Sequence, residues 1–174
     1  YNCVNAYGKT SVEIDITSYC VGADCLKGEK ATKAIKATAA VIISNNDGGI
    51  LDGTPVLEGE TLKISLKEGV YGNAIVGITD SDGNIIWSYH IWKPSEEPTA
   101  AIRYASTGLE IMPMPLGALK ACKGSYDQDM LGLYYQWGRK DPFARFGSVK
   151  KILEKETFSM LEGKGFMQSS TAVE

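Results

Sequence analysis

Residues 72–92 read Gly72-Asn73-Ala74-Ile75-Val76-Gly77-Ile78-Thr79, then Asp80-Ser81-Asp82-Gly83-Asn84, then Ile85-Ile86-Trp87-Ser88-Tyr89-His90-Ile91-Trp92. Ala74, Val76 and Ile78 recur at every second position, the period of a strand. The return run is dense in aromatic and β-branched residues, which suit a pleated, half-buried surface. Between them the Asp82-Gly83 pair tolerates the positive φ angles of a tight hairpin turn. The stretch is therefore read as a β-hairpin. Its alternation sends Ser88, His90 and Trp92 to one face of the second strand.

Working outward, the same period governs the first 95 residues. Val12, Ile14 and Ile16 alternate with Glu13 and Asp15, and Leu62, Ile64 and Leu66 alternate with Lys63 and Ser65. Ala39 to Ile43 is a continuous apolar run, expected as a strand buried on both faces, and Asn45-Asn46-Asp47-Gly48-Gly49 stops it. Five or six strands with short turns imply a β-sandwich over residues 1–95. A boundary is expected at Lys93-Pro94-Ser95-Glu96-Glu97-Pro98-Thr99, where two prolines interrupt strand structure. Beyond it, over residues 96–174, Ile102 to Tyr104 and Leu109 to Met112 read as short strands. Asp127 to Trp137 reads as a short helix with Asp127 at its N-cap. Residues 148–161 fit an amphipathic helix or a strand pair equally.

Composition limits the function classes. The 174 residues carry a net charge of -3 with 44% hydrophobic and 22% charged residues, so no basic field attracts nucleic acid or an anionic membrane. No apolar run reaches the roughly 20 residues a spanning helix needs. The chain begins at Tyr1 without Met or an apolar leader, so any secretory signal or lipid anchor is expected to have been removed from it. Cys20 and Cys25 enclose a short loop where a disulfide is geometrically allowed, contributing about 2 kcal/mol. Free buried thiols are the alternative reading of the four cysteines. Their spacing and the single histidine, His90, argue against zinc.

Gly132-Leu133-Tyr134-Tyr135-Gln136-Trp137-Gly138-Arg139-Lys140-Asp141-Pro142-Phe143 resembles the GLLYQWGRKDPF stretch of fimbrillin-like surface proteins of Gram-negative gut anaerobes. The 72–92 stretch resembles the family's GNAVIAV…DGNILWSWHIW, Leu116-Gly117-Ala118-Leu119 its NLGAL element, and Tyr1-Asn2-Cys3 its ANCY start. The resemblance implies a mainly β chain: an immunoglobulin-like β-sandwich followed by a smaller α+β module similar to the fibrobacter-type paralogous domain. Family members continue into YSIQNP and CPPGWR elements that this chain lacks, so the resemblance implies a second module incomplete at its C-terminus. Met112-Pro113-Met114-Pro115 also stands where the family has an MDRN-like stretch.

Candidate chemistry is sparse. Nucleophilic catalysis needs a base beside the nucleophile, and His90 lies in a strand between Tyr89 and Ile91. Glu96-Glu97 and Asp127-Asp129 read as solvated acids rather than a glycosidase pair. Asp80-x-Asp82-Gly83-Asn84 lacks the Gly and Glu positions of an EF-hand loop. No phosphate-binding glycine motif follows a strand, and no cofactor or metal is expected. The aromatic set is the stronger candidate. Trp92, Trp137, Tyr134 and Tyr135, with His90 and Arg139, would bind a ligand if exposed, or fasten the sandwich to the second module if buried. Arg139 is expected to pair with Asp141 or another acid.

The expectation is a non-catalytic, extracellular or outer-membrane surface module of an adhesin, pilus or lipoprotein, meeting other surface proteins. Binding host or dietary glycans is the alternative, and a hydrolase a more distant one.

Overall fold

The computed structural model describes residues 3–17, 37–45, 49–99, 101–125, 127–135 and 141–142. Cys20, Cys25, Trp137, Arg139 and residues 148–161 lie outside them. The described chain is mainly β: β1 Cys3–Asn5, β2 Ser11–Asp15, β3 Ala39–Ser44, β4 Val56–Glu58, β5 Thr61–Ser65, β6 Gly72–Thr79, β7 Ile85–Lys93, β8 Ile102–Arg103 and β9 Glu110–Ile111. One sheet has the order β1-β7-β6-β3, a second β2-β5-β4, and β8-β9 form a separate ribbon.

The two larger sheets face each other as in a sandwich. Val12, Leu62, Ile64 and Leu66 from one side meet Ala74, Val76, Ile78, Trp87, Tyr89 and Ile91 from the other in a single apolar core. Each fully buried large side chain there contributes about 1.5–3 kcal/mol. Alternation decides the partition: even positions of β6 and, beyond the register shift at the start of β7, Trp87, Tyr89 and Ile91 point inward. At the rim, Lys93 is buried and gives its ammonium group to the carbonyl of Lys67.

The 72–92 hairpin forms as read, with Gly83 at φ 80° in the turn. Asp80 holds that turn by accepting from the N–H groups of Asp82 and Asn84 at 3.0 and 2.9 Å. Those N–H bonds, that of Asn84 foremost, hold the Asp80 carboxyl below its ordinary range. A structural turn thus accounts for the acids that mimic part of a calcium loop.

Two expectations change. The Ala39–Ile43 run is not buried on both faces. It lies in β3, an edge strand, where only Ile43 is fully buried, and its pairing with β6 is broken by a bulge between Ile42 and Ser44. The strand covered on both faces is β6, buried along all eight residues. Over its described residues, 127–135, the expected Asp127–Trp137 helix reduces to one 3₁₀ turn, Gln128–Met130. Asp127 does cap it, accepting from the Asp129 N–H. The chain then extends, because the Leu133 N–H bonds to the carbonyl of Leu116 instead of continuing a helical ladder.

Candidate functional site

The outer face of the four-stranded sheet should be wet in a free-standing sandwich, yet it is buried. Alternation places Asn73, Ile75, Gly77 and Thr79 of β6 and Ser88, His90 and Trp92 of β7 on this face. Residues 114–121 and Asp141 cover its β1 side. Trp92 packs with Met114 and Ala118, joined by Cys3, Leu116 and Ala121. Towards β3, Ile43, Ile75 and Ile85 form a second apolar cluster. A Cβ on Gly77 would lie 2.9 Å from Ile43, so the glycine lets the edge strand fold across.

Beside these clusters runs a polar strip. His90 and Asp141 are each 1% exposed. His90 Nε2 lies 2.8 Å from Asn73 Oδ1, its diagonal neighbour across the β6–β7 pair. Asn73 Nδ2 donates to the Gly117 carbonyl at 2.9 Å. The carbonyl can only accept, so the amide nitrogen must face it and Oδ1 must face the imidazole. In its neutral form His90 is therefore the Nε2–H tautomer. The Ser88 hydroxyl lies 2.7 and 2.9 Å from the two carboxylate oxygens of Asp141 and shares its proton between them. The Trp92 indole N–H donates to the Ala118 carbonyl at 2.7 Å. A buried polar group left without a partner costs about 1–3 kcal/mol, so these bonds fix where the covering segment sits.

Gly117 makes the approach feasible. Its φ of 86° turns its carbonyl towards Asn73, and a Cβ would come within 2.5 Å of Leu133 Cγ. Further along, the Ser95 N–H and hydroxyl both meet the Leu119 carbonyl at 2.8 Å. Glu96 accepts from the Ala121 N–H and pairs with Lys123 at 3.0 Å. The Lys123 ammonium, then the Ala121 N–H, hold the Glu96 carboxyl below its ordinary range. Asp127 pairs with Lys120. Of the acidic residues weighed for catalysis, Glu96 and Asp127 thus serve as ties that hold the covering segment. Cys3 is half-buried beneath this layer, and desolvation pushes its thiol up to about 12.

Of the aromatic and basic candidates, the structure buries Trp92 and His90 in the joint and leaves Tyr134 and Tyr135 exposed. Trp137 and Arg139 lie outside the described residues. Asp141, one of the acids expected to pair with Arg139, also receives the Ser88 hydroxyl. Strand parity already aligned Ser88, His90 and Trp92. Asn73 and Gly117 were missed as site residues, although an amide inside an apolar strand is a signal of buried pairing. No group of histidine, cysteine and acidic side chains suited to a metal ion occurs among the described residues.

Comparison with protein families, with characterised proteins and with solved structures finds no match for this chain.

Proposed function

We propose that the protein is a non-catalytic cell-surface binding or assembly module, with an immunoglobulin-like sandwich as its rigid body. The observation that carries this reading is the use of the reactive side chains. Ser88, His90 and Asp141 are spent on a buried joint between the sandwich and the segment that follows it. A triad would need the imidazole on the serine; here the imidazole bonds an amide and the serine bonds the carboxylate.

The connectivity supports the immunoglobulin-like assignment. β2-β5-β4 corresponds to the B-E-D strands of such a sandwich, and β3, β6 and β7 to C, F and G. β1 takes the place of the first strand, moved to the edge of the second sheet and running parallel to β7. Both sheets end in short strands. β1 and β4 have three residues each, and only Val4 of β1 enters the core. Such an edge strand is the weakest-held part of a sandwich and a site for strand addition from another protein, with main-chain hydrogen bonds supplying affinity.

Sedimentation velocity on the full chain and on a variant lacking residues 1–5 tests the assembly role. Oligomers that grow with concentration and change when β1 is deleted support it. A strict monomer at all concentrations, with no binding to surface proteins, counts against it.

Glycan binding is a second reading, favoured by Tyr134 and Tyr135, both exposed aromatics next to each other in the chain. A glycan array with Tyr134→Ala and Tyr135→Ala variants tests it, and binding untouched by both substitutions removes these residues from the site.

A further inference from the structure

The β8–β9 ribbon stands apart from the sandwich, with every residue from Ala101 to Met112 exposed. Its register pairs Ile102 with Ile111 and Arg103 with Glu110. The Tyr104 N–H bonds the Leu109 carbonyl at 2.9 Å and the Gly108 N–H bonds the Tyr104 carbonyl at 2.7 Å. Gly108 and Leu109 therefore oppose Tyr104 in a glycine bulge. Alternation then puts Ile102, Tyr104, Leu109 and Ile111 on one face, all at least half exposed, with Leu109 at 63%. Arg103 and Glu110 occupy the other face. A two-stranded ribbon is marginal in water on its own, and this one shows water an entire apolar face.

Hydrogen-bond parity identifies the open edges. Tyr104 and Ile102 hold the bonded positions of the pair, so Arg103 and Glu110 form the non-bonded pair between them. Their main-chain N–H and C=O groups point outward, one set from each edge. A cationic residue thus marks the open main chain of β8, and an anionic one that of β9.

We infer that this ribbon is a self-association site, in which β8 of one copy adds antiparallel to β9 of a second copy with Arg103 opposite Glu110. The contact extends the apolar row across the junction and alternates charge on the opposite face. The two symmetric alternatives, β8 on β8 or β9 on β9, would set Arg103 against Arg103 or Glu110 against Glu110, and like charges directly opposite are disfavoured. The charges select the pairing while apolar burial drives it, since exposed ion pairs are weak. A contact joining unlike edges leaves one of each open, so association continues beyond the dimer. This inference rests on the assembly reading above in kind, but uses a different edge.

Charge reversal in the full chain tests it by sedimentation velocity. Arg103→Glu alone and Glu110→Arg alone should each weaken self-association by roughly fivefold or more. Mixing the two single variants recovers association in part, because each β8–β9 junction between unlike variants pairs opposite charges while each ribbon keeps its own like-charged 103/110 pair. The double variant Arg103→Glu/Glu110→Arg restores it, with the charges exchanged. Failure of the double variant to restore association overturns the ribbon pairing. Association that ignores all three variants but disappears when residues 1–5 are deleted also overturns it, and leaves the assembly role with β1. A chain that never associates removes both.

Discussion

Ser88 and Asp141, 53 positions apart in the chain, meet at 2.7 and 2.9 Å beneath the protein surface. The pair fixes the residues after the sandwich against the outer face of its four-stranded sheet. Ser88→Ala removes a hydroxyl donor from a buried carboxylate while keeping the strand. Urea unfolding should show a loss of about 2 kcal/mol.

Asn73 is polar in both directions: its oxygen takes the His90 proton and its nitrogen serves the Gly117 carbonyl. Asn73→Asp keeps the shape but turns an oxygen towards that carbonyl. It should destabilise at neutral pH by more than Asn73→Ala, which costs about 1–3 kcal/mol. Comparing the two in thermal melts separates hydrogen-bond direction from volume.

Gly117 and Gly8 both have positive φ, but only Gly117 is crowded. Alanine at Gly8 should cost the backbone term alone, about 1–2 kcal/mol. Alanine at Gly117 adds the clash with Leu133, so the loss should be larger. Denaturant midpoints of the two variants give the difference directly.

Burial raises the Cys3 thiol from 9.0, and the Tyr89 phenol from 10.0, to about 12 in each case. For Tyr89 desolvation leads and the Asp15 charge adds. The folded state therefore prefers both groups neutral. Their contribution is complete below about pH 9 and is lost as pH rises towards 12, because the unfolded chain ionises first. Stability should fall over that alkaline window, and less steeply in Tyr89→Phe. The Tyr89 hydroxyl is buried without a hydrogen-bond partner among the described residues. The same substitution should thus leave stability at neutral pH unchanged or raise it by up to about 1 kcal/mol.

The hairpin was legible because its period, its β-branched content and its Asp-Gly turn all agree. The three-residue strands β1 and β4 were not, since three residues carry no period. Ala39–Ile43 and the 72–79 strand exchanged roles: an apolar run reports hydrophobicity, while neighbours on both sides decide burial. Beyond Asp127 the cap signal was sound, but tertiary pairing of Leu133 with Leu116 overrode the helical spacing. At the joint, strand parity aligned Ser88, His90 and Trp92. Ala118, which meets Trp92, and Asp141, which meets Ser88, lie 26 and 53 positions away, and Gly117 lies 44 from Asn73, distances that no local pattern spans.

His90 is the chain's one imidazole, which makes it a direct reporter of the claim that the outer sheet face is an internal joint. Diethyl pyrocarbonate modification of the native protein, followed by the imidazole absorbance change, measures its access to solvent. A closed joint leaves His90 unreactive until urea unfolds the chain. Stoichiometric reaction in the native state, at the rate of a free imidazole, would contradict the joint and reopen this face as a binding or catalytic site.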